Sequence, residues 1–387
     1  MTREARRRCL RGIGASALGF GLPAAPVRAL PAPYPDVVRG VALSFPRDHG
    51  AHDAYRTEWW YLTGWLRRTE GPRRGEPAGV QITFFRSRTK HDAGNPSRFA
   101  PVQLLFAHAA LALPEQGSLV HAQRAAREGF GLAQASPLDT DVAIGDWSLA
   151  RATDDVYRSR IVDASLAIEL SFRPKAPPLR QGDAGFSRKG PHETQASYYY
   201  SRPQLEVNGT IGDAARRDAV EGVAWLDHEW SSEILDPSAT GWDWVGLNFD
   251  DGNALMAFRI RRREGGTLWT DARWAAPDGS RTNGRSEART RPAREDTERA
   301  NRRPNVRFEP LREWTSPRTG IRYPVALRLT VDDRTFTLEP LFDDQELDTR
   351  STTGVVYWEG AVRVLEADRV IGRGYLELTG YESRVRF

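Results

Sequence analysis

The chain has 387 residues, of which 40% are hydrophobic and 27% charged, a composition typical of a folded globular protein. This length exceeds that of one ordinary hydrophobic core, so the sequence predicts two domains. The formal net charge is +4, but the basic residues between Arg259 and Arg307 alternate with acidic ones and no nucleic-acid-binding module accompanies them, so nucleic-acid binding is not expected.

Residues 1–29 have the pattern of an export signal. Arginines at residues 6–11 precede an apolar stretch at residues 13–22, and a small-residue cleavage site follows at residues 27–29. The arginines resemble a twin-arginine signal, and both the twin-arginine and the general secretory route remain open. The single cysteine, Cys9, lies in this segment. We therefore expect a periplasmic or secreted protein, cleaved near Ala29; a merely basic N-terminal tail is the alternative.

Two histidines, His49 and His52, lie in the loop at residues 47–53, close in sequence to Glu58. Metal binding requires convergent nitrogen and oxygen ligands, which this loop carries. The spacing matches no known metal signature such as H-E-x-x-H. We therefore expect a capped turn here, with no metal and no cofactor.

The stretch at residues 58–65 is an aromatic-dense strand. Period-two alternation places Glu58 and Trp60 on one face and Tyr61 on the other. Either face would be a large apolar surface prone to association if exposed, so both faces are expected to be covered by other parts of the protein. One face is a candidate ligand wall, and plain core packing is the alternative.

Alternating patterns continue at residues 102–108, 166–172 and 325–331, whereas no convincing long amphipathic helix is found. Residues 265–304 are polar and rich in Arg, Glu and Gly, which favours a long excursion or a disordered loop. Many short strands with frequent turns predict an all-β fold, a barrel or a sandwich.

The same plan occurs twice. Each half starts with a tryptophan-containing strand that ends in Gly, followed by a strand that contains Phe-Arg. Each half closes with an aromatic cluster and then a strand that begins with Gly. The stretches are residues 60–64, 84–86, 198–200 and 222–226 in the first half, and 242–246, 257–259, 357–358 and 374–378 in the second. This repeat predicts duplicated barrels, at residues 34–235 and 236–387, with a linker between Trp230 and Trp242. Chance similarity between aromatic strands is the alternative.

The sequence Asp227-His228-Glu229-Trp230 follows an apolar strand, so its polar groups fall at a strand end. A carboxylate beside an imidazole can set its tautomer and raise its pKa, which would let Asp227 and His228 act as a proton donor. Trp230 would share the face of His228, and an indole can stabilise a developing carbocation. A structural histidine that ties two barrels together is the alternative.

Trp242, Asp243 and Trp244 open the second half. Desolvation of Asp243 between the two indoles could raise its pKa and make it a second proton donor; a surface aspartate is the alternative. The chain has no Gly-x-Ser-x-Gly elbow, no P-loop and no dinucleotide fingerprint, so serine hydrolase and nucleotide-dependent activities lack their usual support.

Several of these stretches together resemble the AttH and carotenoid 1,2-hydratase family of lipocalin-like proteins. The resemblance spans residues 34–387 and is carried by residues 45–50, 58–64, 193–200, 227–230, 241–244 and 374–381. It implies two tandem lipocalin-like β-barrels and a pocket for isoprenoid or polyketide-like molecules. Hydratases of this family add water across a terminal C=C bond without a cofactor, through protonation, a tertiary carbocation and capture of water.

The resemblance places His228 and Trp230 on positions proposed to be catalytic in the hydratases, with Asp227 beside them and Asp243 as a further candidate. Trp60, Glu58, Tyr61, Tyr199, Trp242 and Trp244 are the candidate ligand-binding residues. The family also includes exported members often called secreted hydrolases, and pericyclase-like relatives. The export signal places this chain nearer the exported branch.

The leading hypothesis is an exported protein that binds an apolar small molecule and hydrates or cyclises it, with peripheral association with the envelope. A non-catalytic carrier or envelope interaction protein is the main alternative, and a secreted hydrolase is a third.

Overall fold

The computed structural model describes residues 34–91, 94–97, 99–282 and 303–385. The predicted export signal with Cys9, and residues 283–302 of the polar stretch, lie outside the described residues. Two single-turn 3-10 helices occur in the described part, Arg47–His49 and Pro114–Gln116. None of the described helices has the length and apolar character needed to cross a bilayer.

Within the described residues, 13 strands form the first sheet. They are β1 (Thr57–Arg68), β2 (Pro77–Arg88), β3 (Gln103–Ala112), β4 (Leu119–Arg127), β5 (Ala133–Ala135), β6 (Asp141–Ile144), β7 (Trp147–Arg151), β8 (Tyr157–Val162), β9 (Ala167–Arg173), β10 (Leu179–Arg180), β11 (Phe186–Arg188), β12 (Ala196–Gly212) and β13 (Arg217–Ser231). The main path runs β4-β3-β2-β1-β13-β12-β9-β8-β7-β6-β5, and β10 and β11 pair with β12. The chain therefore returns to place its last long strand, β13, beside its first.

The second sheet contains ten strands among the described residues. They are β14 (Ala239–Phe249), β15 (Ala254–Arg262), β16 (Thr267–Ala275), β17 (Arg281–Thr282), β18 (Val306–Thr315), β19 (Arg322–Val331), β20 (Arg334–Pro340), β21 (Glu346–Asp348), β22 (Val356–Glu366) and β23 (Arg369–Leu378). The order is β17-β16-β15-β14-β23-β22-β20-β19-β18, with β21 on β22. Here too the last strand, β23, pairs with the first.

Each sheet curves back on itself. In the first sheet, β3 and β4 contact β6 from the opposite end, and in the second sheet β18 contacts β15 and β16. The interiors are separate apolar clusters, which include Leu62 and Ile82 in the first and Leu247 and Leu327 in the second. The prediction of an all-β fold with two lipocalin-like barrels is confirmed.

Part of the stretch expected to be an excursion or a disordered loop is a regular strand. Residues Thr267–Ala275 form β16, which pairs along its length with β15. Trp269 and Trp274 on this strand are both buried. Burial of two indoles supplies the apolar stabilisation that the polar composition of the stretch concealed.

Strands β1 and β13 form the wall between the two barrels, and their two faces differ. In the antiparallel register, Trp59 pairs with Glu229 and Trp60 pairs with His228. Trp60 belongs to the core of the first barrel, whereas Tyr61 belongs to a cluster shared with the second sheet. The predicted alternation of faces along residues 58–65 is therefore observed, and both faces are covered.

The two barrels pack against each other through large aromatic side chains. Tyr61, Trp65 and Trp225 of the first sheet share one buried cluster with Trp244 and Tyr375 of the second. The described residues of both barrels accordingly belong to one packed unit. Glycines permit this close approach: a Cβ added at Gly246 would lie 2.4 Å from Trp244 and 2.9 Å from Trp225.

This packing yields a first prediction. Gly246→Ala is expected to lower the free energy of unfolding by about 1–3 kcal/mol, because the added methyl group overpacks the contact between the barrels. Gly64→Ala is the matched control, since its Cβ would meet Val80 at 3.1 Å and Ala224 at 3.2 Å within the first sheet. Chemical denaturation measures both variants, and an equal or larger loss for Gly64→Ala would contradict the assignment.

Candidate functional site

A cavity of about 300 Å³ lies between the two sheets. Strands β1, β2, β3 and β13 supply one wall, and β14, β15, β22 and β23 supply the other. Most of the wall is apolar or aromatic, and it includes Trp59, Phe85, Phe106, Trp242, Trp244, Phe258 and Ile260. A mainly apolar cavity of this size that holds a few polar groups is typical of small-molecule sites.

Four carboxyl groups also line the cavity: Asp227, Glu229, Glu359 and Glu377. The first two are alternate residues of β13, so the pleat directs both to the same face. The other two belong to β22 and β23 and are directly opposite each other in the antiparallel register. The site therefore combines an apolar wall with carboxyl groups from both barrels.

Glu359 and Glu377 form a pair of like groups in a poorly solvated position. Tyr61 donates a hydrogen bond from its hydroxyl group to Glu359 Oε2 at 2.7 Å, and the indole of Trp242 hydrogen-bonds Glu377. Burial, reinforced by Glu377, holds the pKa of Glu359 well above its ordinary value, and burial raises the pKa of Glu377 to about 8. Because two such groups cannot both ionise readily, the pair retains a proton at neutral pH.

Asp227, on the wall of the cavity that the first sheet supplies, accepts hydrogen bonds from three donors. Tyr199 and Ser201 donate hydroxyl hydrogen bonds to its two oxygens at 2.5 Å each, and Trp225 donates its indole N–H at 2.6 Å. Burial raises the pKa of Asp227 to about 7, and the three hydrogen bonds oppose that rise. The position of this carboxyl group is fixed, with its oxygens occupied by donors.

Glu229 differs because it has a cationic partner. The Lys189 ammonium group lies 2.9 Å from Glu229 Oε1, and the Ser197 hydroxyl also donates to that carboxylate. The same ammonium lies 4.5 Å from the ring centre of Tyr199 and 4.4 Å from that of Phe258. This ion pair compensates the charge of Glu229 inside the cavity.

A second polar group lies on the other face of the same two strands, inside the first barrel. Glu58 Oε1 lies 2.8 Å from His52 Nδ1 and 2.9 Å from His228 Nε2, and Arg86 Nε donates to Glu58 Oε2 at 2.8 Å. Burial disfavours the glutamate anion, but Arg86 and His52 outweigh it, so the pKa of Glu58 lies well below its ordinary value. Burial lowers the pKa of His228. For His52, burial is outweighed by Glu58 and Asp48, so its pKa is raised.

Some predicted site residues reach the cavity and others do not. Asp227, Tyr61, Trp242 and Trp244 line it, and Tyr199 bonds to Asp227. Glu58, Trp60, His228 and Trp230 lie on the other face of β1 and β13 and point into the first barrel, where His228 bonds to Glu58. The predicted site residues therefore form two separate groups, one on each face of the wall made by β1 and β13.

The expected pairing of Asp227 with His228 does not form. Consecutive residues of a strand point to opposite faces, so Asp227 faces the cavity and His228 bonds to Glu58 instead. The expected rise in the imidazole pKa is also wrong, because burial lowers the pKa of His228. The prediction that Trp230 shares the face of His228 is confirmed, with ring centres 5.0 Å apart.

The expectation for Asp243 as a proton donor between two indoles is wrong. Asp243 is buried, but Arg259 Nε donates to it at 2.8 Å and Arg261 Nε at 3.0 Å. Tyr381 adds a hydroxyl hydrogen bond at 2.9 Å. Two guanidinium groups compensate the carboxylate, and Asp243 is not among the residues that line the cavity.

Glu359 and Glu377 were not among the predicted site residues. Each is an ionisable residue with apolar neighbours in sequence: Glu359 follows Trp358, and Glu377 stands between Leu376 and Leu378. This placement was the sequence signal that could have identified them. Charged residues within apolar segments are rarely buried unless they are paired or have a functional role. The pairing across β22 and β23 was not accessible from the sequence.

Comparison with known proteins identifies the family. The AttH-like family profile matches residues 36–381. The crystal structure of an AttH protein from Nitrosomonas europaea has 45% sequence identity and a TM-score of 0.77, covering 90% of this chain and 99% of that chain. Kievitone hydratase from Nectria haematococca has a TM-score of 0.64 at 14% identity, covering 91% of this chain and 97% of that chain.

No curated protein matches the sequence significantly. The profile match extends over most of the chain, and the Nitrosomonas protein is similar in both sequence and structure. The likeness to kievitone hydratase concerns the fold. The resemblance drawn from the sequence motifs is thereby confirmed, and the chain belongs to the AttH-like family.

Proposed function

We propose that this protein binds an apolar, isoprenoid-like or lipid-like small molecule in the cavity between its barrels and hydrates one of its C=C bonds. The observation that carries the proposal is the carboxyl pair of Glu359 and Glu377, which retains a proton in a mainly apolar cavity. A general acid is the group that this reaction requires. A protein of the same fold is named as a hydratase, which accords with this reaction class.

The proposed reaction begins with transfer of a proton from the Glu359–Glu377 pair to one carbon of the double bond. The π electrons form the new C–H bond, and the other carbon becomes a tertiary carbocation. The pair becomes one charge more negative, and the hydrogen bond from Trp242 to Glu377 stabilises that charge. Water adds to the cation and returns a proton to the pair, so the net reaction is alkene plus water to alcohol.

The remaining wall suits the cationic intermediate. Aromatic side chains from both barrels, among them Trp59 and Trp244, border the cavity and can stabilise positive charge through their ring faces. Asp227 is fixed by its three donors and adds an acidic group on the opposite wall. Lys189 is neutralised by Glu229, so it leaves no uncompensated cation beside the intermediate.

Replacement of Glu377 tests the acid. With farnesol as substrate in isotope-labelled water, the wild-type protein is expected to form an alcohol that carries the label, detected by mass spectrometry. Glu377→Gln should lower turnover by about 100-fold or more, because the amide cannot donate a carboxyl proton. Glu366→Gln, an exposed residue of the neighbouring strand β22, is the matched control and should leave turnover unchanged. Farnesol binding without any labelled product would favour the carrier alternative.

The pH dependence of turnover provides a further test of the acid. The active form is protonated, so kcat/KM should be constant at low pH and should fall as pH rises through the Glu377 pKa of about 8. Stability should move the same way, since a folded pKa above the unfolded value gives a contribution that is present below about pH 4.5 and is lost as pH rises toward 8. Denaturation at several pH values should show this loss, on the order of a few kcal/mol, reduced in Glu377→Gln. A rate that instead rises with pH would contradict the acid role.

A cavity-filling substitution tests the location of the ligand. Val355 is a partly exposed residue of the cavity wall, so Val355→Trp is expected to fold and to occupy the space needed by the ligand. Farnesol affinity, measured by quenching of tryptophan fluorescence, should fall at least tenfold. Leu311→Trp, an exposed position outside the cavity wall, is the control and should bind as the wild type does. Equal affinity in Val355→Trp would place the ligand elsewhere.

We propose in addition that the protein is exported. The support is the order of basic, apolar and small residues at positions 1–29. Expression in a bacterial host with an intact secretion system, followed by N-terminal sequencing of the envelope fraction, should give a mature chain that starts near Leu30. A cytoplasmic protein that retains its first residues would contradict export.

A further inference from the structure

We propose that His52, Glu58 and His228, inside the first barrel, form a binding site for one divalent transition-metal ion of the zinc class. Each residue offers one ligand atom, and these atoms all lie within 4.8 Å of one another. The site lies on the opposite face of β1 and β13 from the cavity, so it does not depend on the proposed hydration chemistry. It also revises the expectation of a capped turn without metal around His52.

The three ligand atoms lie close together. Glu58 Oε1 lies 2.8 Å from His52 Nδ1 and 2.9 Å from His228 Nε2. Zn–N distances of about 2.0–2.1 Å would place tetrahedral ligand atoms roughly 3.3 Å apart. The two O···N distances would each have to lengthen by about half an ångström to match this geometry, and the two imidazole nitrogens lie within 4.8 Å of each other.

The outer atoms of the same three residues already have the partners that orient metal ligands. His52 Nε2 lies 3.1 Å from Asp48 Oδ1, and His228 Nδ1 lies 3.2 Å from the Tyr200 hydroxyl. Arg86 Nε donates to the second oxygen of Glu58 at 2.8 Å. An imidazole whose distal nitrogen bonds to a carboxylate or hydroxyl group is the common arrangement of metal-bound histidine.

The ring of His52 is further fixed by stacking. It lies parallel to the Trp230 indole, with ring centres 3.6 Å apart and an interplanar angle of 7°. The side chain of His52 is 10% exposed, whereas those of Glu58 and His228 are fully buried. An ion would therefore enter from the side of the loop that carries His52.

The chemical types of the three ligand atoms determine which class of metal ion the site would prefer. Two imidazole nitrogens and one carboxylate oxygen are typical ligands of zinc and of neighbouring transition metals, whereas calcium and magnesium prefer oxygen donors only. Without metal, N–H groups of both imidazoles occupy the same space by donating to Glu58. Metal binding would replace those two hydrogens and link the loop at residues 47–52 to β1 and β13.

The experiment uses the full chain, stripped with a chelator and then titrated with Zn²⁺. We expect one zinc per chain by elemental mass spectrometry, a rise in Tm on addition of zinc, and visible absorption bands when Co²⁺ is used instead. His52→Gln should weaken zinc affinity at least tenfold and remove the rise in Tm. His121→Gln, which changes a partly exposed histidine outside the group, is the matched control and should bind as the wild type does.

Tyr200→Phe provides a second variant that leaves all three ligands in place. Loss of its hydroxyl group should weaken zinc affinity by about tenfold, because the orientation of His228 is no longer fixed. A wild-type protein that takes up no stoichiometric zinc and gives no cobalt absorption bands would overturn the proposal, as would a His52→Gln variant that binds zinc as tightly as the wild type. The wild-type titration decides the question even if a variant does not fold.

Discussion

The antiparallel pairing of β1 with β13 is the constraint on which the rest of the molecule depends. Its register places Trp60 opposite His228 and Tyr61 opposite Asp227. Because successive side chains of a strand point to opposite faces, one pair of strands supplies two unrelated polar environments. Trp60, Leu62 and Leu66 of β1 belong to the first barrel's interior, and Trp59, Tyr61 and Trp65 belong to the contact with the second barrel. A register shift by one residue would exchange the two sets.

These two environments treat charge in different ways. In the barrel interior, Glu58 is surrounded by donors and a guanidinium group, which stabilise its anion. In the cavity, Glu359 faces Glu377 without a cation between them in the described structure, so the neutral form is favoured. The contrast follows from the immediate neighbours of each carboxyl group, since Glu58 and Glu359 are both buried. Carboxyl groups on the two sides of the β1–β13 wall therefore differ in their favoured form, since Glu58 is a stabilised anion and the Glu359–Glu377 pair favours the neutral form.

The sequence was sufficient for the fold and for half of the site. Period-two alternation and the repeat around residues 60–64 and 242–246 predicted duplicated barrels, because strand periodicity is a local property. The faces of residues 58–65 were predicted for the same reason. The pairing of Asp227 with His228 failed because adjacency in sequence was mistaken for adjacency in space. The Glu359–Glu377 pair and the ion pairs of Asp243 arise from strand register and tertiary contact, which local pattern does not encode.

The aromatic contact between the barrels has a consequence for how such a chain can be divided. Tyr61, Trp65 and Trp225 are covered only because Trp244 and Tyr375 lie against them, with Gly246 allowing the approach. Either half alone would expose its part of this cluster to solvent as a broad apolar surface. It would also hold only two of the four cavity carboxyl groups. The molecule is in effect an intramolecular dimer that cannot dissociate. The cavity belongs to neither half, and the joining of both barrels in one polypeptide keeps its two walls together.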